Sequence, residues 1–146
     1  MITLRRATIN DADVVLEWRN ESATRRASFS DRSITRDEHL AWFSERLVLT
    51  HDESIWMVER DGVVVGNGRI CIENDNRAAV SVVIDPELRG QGIGTAAIRL
   101  LSDKIIRMKR TPVAYIRPDN TQSMRAFCSA GFYTKLFDET RMELWA

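Results

Sequence analysis

The sequence is poor in cysteine, in proline and in long apolar runs. Cys71 and Cys128 are its two thiols in 146 residues. Neither sits in a metal-ligand spacing, and two cysteines cannot make a disulfide framework, so a stapled scaffold and a zinc site are both excluded. Three scattered prolines, Pro86, Pro112 and Pro118, mark no linker, and no repeat or low-complexity block divides the chain. No apolar stretch approaches the roughly 20 residues needed to cross a bilayer. The start, Met1 to Arg6, has no apolar core of signal-peptide length behind its charges, so a cytoplasmic protein is expected. An excess of one charge is missing too: Lys plus Arg and Asp plus Glu each number 21. A nucleic-acid coat or a membrane-surface protein needs a cationic surplus and is disfavoured. What remains is a single globular domain over residues 1–146, with 44% hydrophobic and 29% charged residues.

Hydrophobic periodicity and turn chemistry then predict the elements. Ile2 to Arg6 reads as a strand. Thr8 with Asp11 resembles a capping box that opens a helix to about Asn20, and Thr35 with Glu38 opens a second, carrying Leu40, Phe43 and Leu47. Glu21 to Ser33 keeps no period and reads as a loop. Ser54 to Glu59 and Val63 to Ile72 form a hairpin about Asp61-Gly62. Ala78 to Ile84 is expected as a buried central strand. A long amphipathic helix follows the Gly-rich segment at 90–94 and ends near Lys109. Val113 to Ile116 is a strand, Asn120 caps a short helix stopped at Gly131, and Phe132 to Asp138 with Arg141 to Trp145 close the chain as a hairpin. The order β-α-α-β-β-β-α-β-α-β-β describes an α/β (α+β) domain with a mixed, mostly antiparallel seven-stranded sheet flanked by helices.

The chemistry concentrates between residues 84 and 95. The strand ending at Ile84 runs through Asp85-Pro86-Glu87-Leu88 into Arg89-Gly90-Gln91-Gly92-Ile93-Gly94-Thr95, which opens directly onto a helix. Glycines let the backbone approach a bulky anion, and a helix N-terminus offers unpaired N–H groups, so a phosphate or pyrophosphate suits this turn. A Walker loop is excluded by the absence of Gly-Lys-Ser/Thr, and the dinucleotide fingerprint fails at Thr95, where it requires glycine. Close helix packing is the competing explanation for the glycines. The local charge favours the ligand: residues 85–125 carry eight basic and four acidic side chains, a balance of +4 hidden in a neutral chain.

Arg89-x-x-Gly92-x-Gly94 after this strand exit resembles the acetyl-CoA pyrophosphate motif of the GNAT superfamily of N-acetyltransferases. Asn120-x-x-Ser123-x-x-x-Phe127-x-x-x-Gly131-Phe132 resembles a later segment of the same family. The resemblance implies that residues 77–132 form the acetyl-CoA-binding core, and that Arg89, Gly90, Gln91, Gly92, Ile93, Gly94 and Thr95 surround the pyrophosphate. It further implies that Val82, Val83 and Ile84 line the pantetheine, and that Asn120 and Ser123 contact its arm. No metal is implied.

Two departures from the family pattern bear on mechanism. Many members carry Tyr at the position of Phe127 to protonate the leaving thiolate, which leaves Ser123 as the candidate acid. Familiar base positions hold Tyr115 and Ala79, so His39, Glu73 or water is expected to take the amine proton.

The acceptor side falls to residues 1–53. Glu17-Trp18-Arg19-Asn20, Arg25 to Phe29, and Glu38-His39-Leu40-Ala41-Trp42-Phe43 resemble nucleotide-sugar 4-amino N-acetyltransferases of pseudaminic acid biosynthesis. That resemblance implies a UDP-linked amino-dideoxy sugar as acceptor, with Arg25, Phe29, His39, Trp42 and Glu73 as substrate residues. Arginines suit a diphosphate, and Phe29 or Trp42 could stack on a base. Core packing competes for Trp18, His39, Trp42 and Phe43, and His51 receives no role. The partner is therefore a small-molecule amine rather than a nucleic acid or a membrane, and a homodimer is compatible with the sequence. A protein N-terminal or ribosomal-protein acetyltransferase and a non-catalytic acyl-CoA-binding module are the alternatives.

Overall fold

The run Ile55-Trp56-Met57-Val58 is buried at every position. A strand that hides successive side chains must be covered on both faces of its sheet. In the computed structural model, which describes residues 1–30, 32–49, 53–138 and 140–146 apart from the side chains of Ser22 and Phe137, that is the architecture. His51, and Asp31 of the Arg-rich stretch, lie outside the described residues.

Strands β1 (Ile2–Arg6), β2 (Ile55–Arg60), β3 (Val63–Ile72), β4 (Arg77–Ile84), β5 (Thr111–Ile116), β6 (Tyr133–Phe137) and β7 (Met142–Trp145) form one sheet in the order β1-β2-β3-β4-β5-β7-β6. Every neighbouring pair is antiparallel except β4 and β5, which are parallel. Helices α1 (Ala12–Asn20), α2 (Ser22–Ala27) and α3 (Arg36–Leu47) precede β2; α4 (Ile93–Arg107) connects β4 to β5, and α5 (Thr121–Ser129) follows β5.

Alternation along β2 sorts the two cores. Ile55 and Met57 pack with Val15 and Trp18 of α1 and Phe43 of α3. Trp56 faces the opposite side with Ile98, Leu101 and Ile105 of α4. Each such side chain, fully buried, stabilises the fold by about 1.5–3 kcal/mol. Helix α4 sits close to the sheet: a Cβ on Gly68 would lie 2.5 Å from Leu101 Cδ1. The Asp61-Gly62 turn has φ values of 53° and 83°, the left-handed pair that a two-residue hairpin requires.

Three sequence expectations are revised. The stretch after Glu21 is not all loop, because α2 forms over Ser22–Ala27 once the Glu21 carboxylate accepts the N–H groups of Ala23 (3.1 Å) and Thr24 (2.9 Å). The Thr35 cap accepts from the Glu38 N–H at 3.2 Å, but the Glu38 carboxylate pairs with Arg32 at 3.0 Å rather than folding back. Finally, β4 is buried at Ala78 and Val80 but only partly covered from Val82 to Ile84. The opening there is the entrance to the site.

Candidate active site

The parallel pairing of β4 with β5 lasts for three positions, Arg77↔Thr111, Ala78↔Pro112 and Ala79↔Val113. Beyond them β4 stays paired to β3 as far as Gly66↔Ile84, and β5 stays paired to β7 as far as Ile116↔Met142. The sheet therefore splits into a V. One edge of β4 from Val80 onward presents backbone N–H and C=O groups that no strand takes up. A cleft of about 1310 Å³ passes through this opening, lined by Val80 to Ile84 on one arm and by Tyr115 and Ile116 on the other.

At the exit of β4 lies the glycine turn. Pro86–Leu88 make a single 3-10 turn, and Gly90 and Gly92 adopt φ of 81° and 79°. Gly92 is the left-handed N-cap residue of α4, with no side chain capping the helix. Its first-turn N–H groups are thus available, whereas α3 and α5 are capped by Thr35 and Asn120. A Cβ built on Gly90 or Gly92 would meet nothing within 4 Å, so the glycines serve backbone conformation and leave open space above the turn. This uncapped, open N-terminus fits a pyrophosphate.

Arg89, Gly90, Gly92, Ile93, Gly94 and Thr95 all line the cleft together with Val82, Val83, Ile84, Asn120 and Ser123. Gln91 does not; its Oε1 accepts from Arg60 at 2.8 Å. Arg89 is committed on one side, donating to Thr24 Oγ1 at 2.8 Å and pairing with Glu21 at 3.5 Å, so it ties the turn to α2. The Ala23 N–H foremost, with Thr24 and Arg89, holds the Glu21 carboxyl below the usual glutamate range. Asn120 Oδ1 accepts the Ser123 N–H at 3.2 Å, which leaves the Asn120 amide and the Ser123 hydroxyl toward the cleft. Phe127 packs edge-to-face on Phe132 at 5.0 Å, an apolar role that needs no hydroxyl.

Of the expected acceptor residues, Arg25, Phe29 and Trp42 line the cleft, and His39 and Glu73 do not. His39 is 1% exposed; its Nε2 lies 2.8 Å from the Ala12 carbonyl and its ring is in contact with Phe43. Burial, with Arg19 nearby, pushes its imidazole below the usual histidine range. Glu73 accepts from Tyr115 Oη at 2.7 Å and pairs with Arg77 at 2.9 Å. Burial and this bond push the Tyr115 phenol up to about 12. His39 is thus engaged in core packing and Glu73 in pairing with Tyr115 and Arg77.

Residues that sequence reasoning missed are Arg19, Asn67 and Arg69, all on the cleft wall. Arg69 of β3 is opposite Ser81 of β4, on the face that α1 and α3 cover. Among the described residues the wall holds six arginines and no Asp or Glu. No group of three or more His, Cys, Asp or Glu side chains among them could hold a metal ion. No helix among them is long and apolar enough to cross a membrane.

A seven-stranded sheet that opens between parallel central strands, above a glycine turn feeding a helix, is the architecture of an acyl-CoA-dependent transferase fold. The profile of the acetyltransferase (GNAT) domain family matches residues 1–133, and the chain belongs to that family. It is 28% identical over 144 residues, covering 90% of this chain and 80% of the other, to an L-methionine sulfoximine/L-methionine sulfone acetyltransferase of Salmonella typhimurium. Among solved structures it resembles yncA of Salmonella typhimurium with its cofactor acetyl-CoA, at 25% identity and a TM-score of 0.76 over 99% of this chain and 91% of that one. The aminoglycoside acetyltransferase AAC(6')-Ib in complex with coenzyme A shares the fold at 17% identity, with a TM-score of 0.81 over 100% and 94% of the two chains. The protein is an N-acetyltransferase of the GNAT type.

Proposed function

We propose that the protein transfers acetyl from acetyl-CoA to the primary amine of a small molecule, with a nucleotide-linked amino sugar as the acceptor. The V between β4 and β5 carries this reading, because it joins the glycine turn to the compartment under α1–α3 in one cleft. Residues 77–132 hold the donor: the α4 N-terminus takes the pyrophosphate, and Val82 to Ile84 receive the pantetheine along the free edge of β4. A β4 N–H then polarises the thioester carbonyl as an oxyanion donor does. The acceptor nitrogen attacks that carbonyl carbon, the C–S bond breaks, and the thiolate takes a proton from Ser123 or water. Residues 1–53 supply most of the acceptor side, with Arg25, Phe29 and Trp42 at the cleft and β3 contributing its floor.

With no carboxylate on the described wall, the amine proton leaves to water. The arginine-rich surroundings favour the neutral, nucleophilic amine over the ammonium form. A polycationic acceptor meets only like charge here, which argues against an aminoglycoside. An amino-acid acceptor is the second reading, favoured by the identity to the methionine sulfoximine enzyme. The experiment is CoA release from acetyl-CoA with UDP-amino sugars, α-amino acids and peptide amines in parallel. Turnover of UDP-amino sugars above the others supports the first reading, turnover of peptide amines alone overturns it, and acetyl-CoA binding with no turnover leaves a binding module.

A further inference from the structure

Three guanidinium groups surround the indole of Trp42. Arg19 of α1 lies 5.2 Å from the ring centroid, Arg69 of β3 5.3 Å and Arg46 of α3 5.8 Å. Arg19, Arg69 and Trp42 line the cleft. Of the other arginines on the cleft wall, Arg32 pairs with Glu38 and Arg89 with Glu21, whereas Arg25 and Arg125 pair with no carboxylate among the described residues and do not lie against the indole. Arg19, Arg46 and Arg69 form no ion pair or hydrogen bond among the described residues, although Arg69 is half-buried. Burial foremost, then its two arginine neighbours, lower the Arg69 guanidinium from its ordinary value, yet a guanidinium stays charged. Asn67, two residues before Arg69 on the same face of β3, also lines the cleft with a buried Oδ1 that has no partner.

Like charges crowded on a half-buried wall without a counter-ion cost stability, and a surface tuned for stability alone would place a carboxylate among them. The indole quadrupole offsets part of this repulsion but supplies no hydrogen-bond acceptor. The missing element is an anion with acceptor oxygens, and guanidinium forks held beside one indole match a carboxylate or phosphate. The position is also correct for a substrate: Arg69 pairs across the sheet with Ser81, on the stretch of β4 that has left β5.

We infer that Arg69 and Arg19, beside Trp42, form an anion subsite that receives a carboxylate or phosphate of the acceptor and so holds its amine toward the free edge of β4. This rests on the acetyltransferase reading above and names a feature the acceptor must carry. An acceptor amine without an anionic group is excluded by the subsite, and Arg69 is the residue that sets this preference.

The test measures binding to the CoA-saturated protein, at fixed ionic strength, of two probe pairs: UDP against uridine, and L-methionine sulfone against its carboxamide. In the wild type the anionic member of at least one pair binds more tightly by roughly 10- to 100-fold, as charge-assisted bonds to a desolvated fork predict. The pair that shows it tells phosphate from carboxylate. Arg69→Gln and, separately, Arg19→Gln shrink that preference severalfold or more while acetyl-CoA affinity holds, and Arg69→Lys restores part of it. Neutral twins binding as well as the anions, binding of neither anion, or an anion preference untouched by both variants would overturn the inference. Turnover of neutral amines alone overturns the subsite and leaves the transferase. Anion preference without CoA release from any amine supports the subsite and overturns the enzymatic reading.

Discussion

Gly66 offers a direct test of how tightly β3 holds the strand that forms the site. It is paired with Ile84 at the last ladder position before β4 turns away. An ideal Cβ there would lie 2.6 Å from the Val83 carbonyl oxygen, 2.8 Å from Ile84 Cδ1 and 3.3 Å from Ile84 Cα. The side-chain carbon can rotate aside, but the carbonyl belongs to the backbone of β4. The Gly66 contact is roughly 0.7 Å shorter than the ~3.3 Å lower end of ordinary C···O approaches. The Gly66→Ala variant must therefore push β4 outward at Val83. Overpacking of this kind costs about 1–3 kcal/mol, which lowers Tm by about 2–12 °C in a domain of this size. Thermal unfolding reads the stability, and calorimetric titration with acetyl-CoA reads the site. Both should suffer, since Val83 lines the donor cleft, with affinity falling at least severalfold. A variant with wild-type Tm and wild-type acetyl-CoA affinity would refute the argument that β4 is fixed by this contact.

Three further outcomes are expected. Ser123→Ala should lower turnover by about 10-fold or more while acetyl-CoA affinity changes little, whereas Tyr115→Phe, whose hydroxyl is held by Glu73, should leave turnover near wild type; steady-state kinetics with titrated donor separates them. Gly92→Trp should abolish acetyl-CoA binding, because it fills the open space over the turn and forces a bulky residue to φ 79°; retained affinity in a titration would remove the phosphate site. Acidification should destabilise the fold through His39: its imidazole titrates lower folded than unfolded, so the unfolded chain binds the extra proton, and stability present above about pH 6.5 declines as pH falls toward the folded value. Arg19 adds to that shift, while the Ala12 carbonyl and Asp13 oppose it. His39→Phe should flatten the loss of Tm between about pH 7 and 5 relative to wild type.

The glycine turn and the Asn120–Gly131 segment were legible because each is local. A left-handed N-cap, an Asn cap and a Gly at φ 104° are demanded by backbone geometry within a few residues, so the sequence carries them openly. The same holds for the Asp61-Gly62 hairpin. Helix α2 was hidden because its six residues, four polar and two alanines, have no large apolar face to betray a period, and its cap is Glu21, a residue type common everywhere. That His39 and Glu73 lie off the cleft lining was hidden for a different reason. A histidine one helical turn before Phe43 has the same identity whether that face meets solvent, substrate or core, and only the docking of α3 beside Ala12 decides. Arg19, Trp42 and Arg69 lie far apart in the chain, and their meeting depends on which face of β3 the helices cover. No short-range pattern encodes that. The split between β4 and β5 has no local pattern of its own, since valines that line a cleft and valines that fill a core read alike. The expectation that Val82, Val83 and Ile84 line a cleft came from the family resemblance alone.

That split also makes the sheet mechanically unequal. Three ladder positions hold β1–β4 to β5–β7, with α4 bracing the join from one side, while every other neighbouring pair runs for four or more. The seam is the natural line of cleavage in the molecule. A donor threaded along it touches both halves and acts as a dowel between them. Occupied at 100 times its dissociation constant, such a dowel adds about 2.7 kcal/mol to the folded state, a sizeable fraction of what a domain of this size possesses. Amide exchange in β5 and β7 should slow when the donor is bound, and the empty protein should open first at Ala79 and Val113.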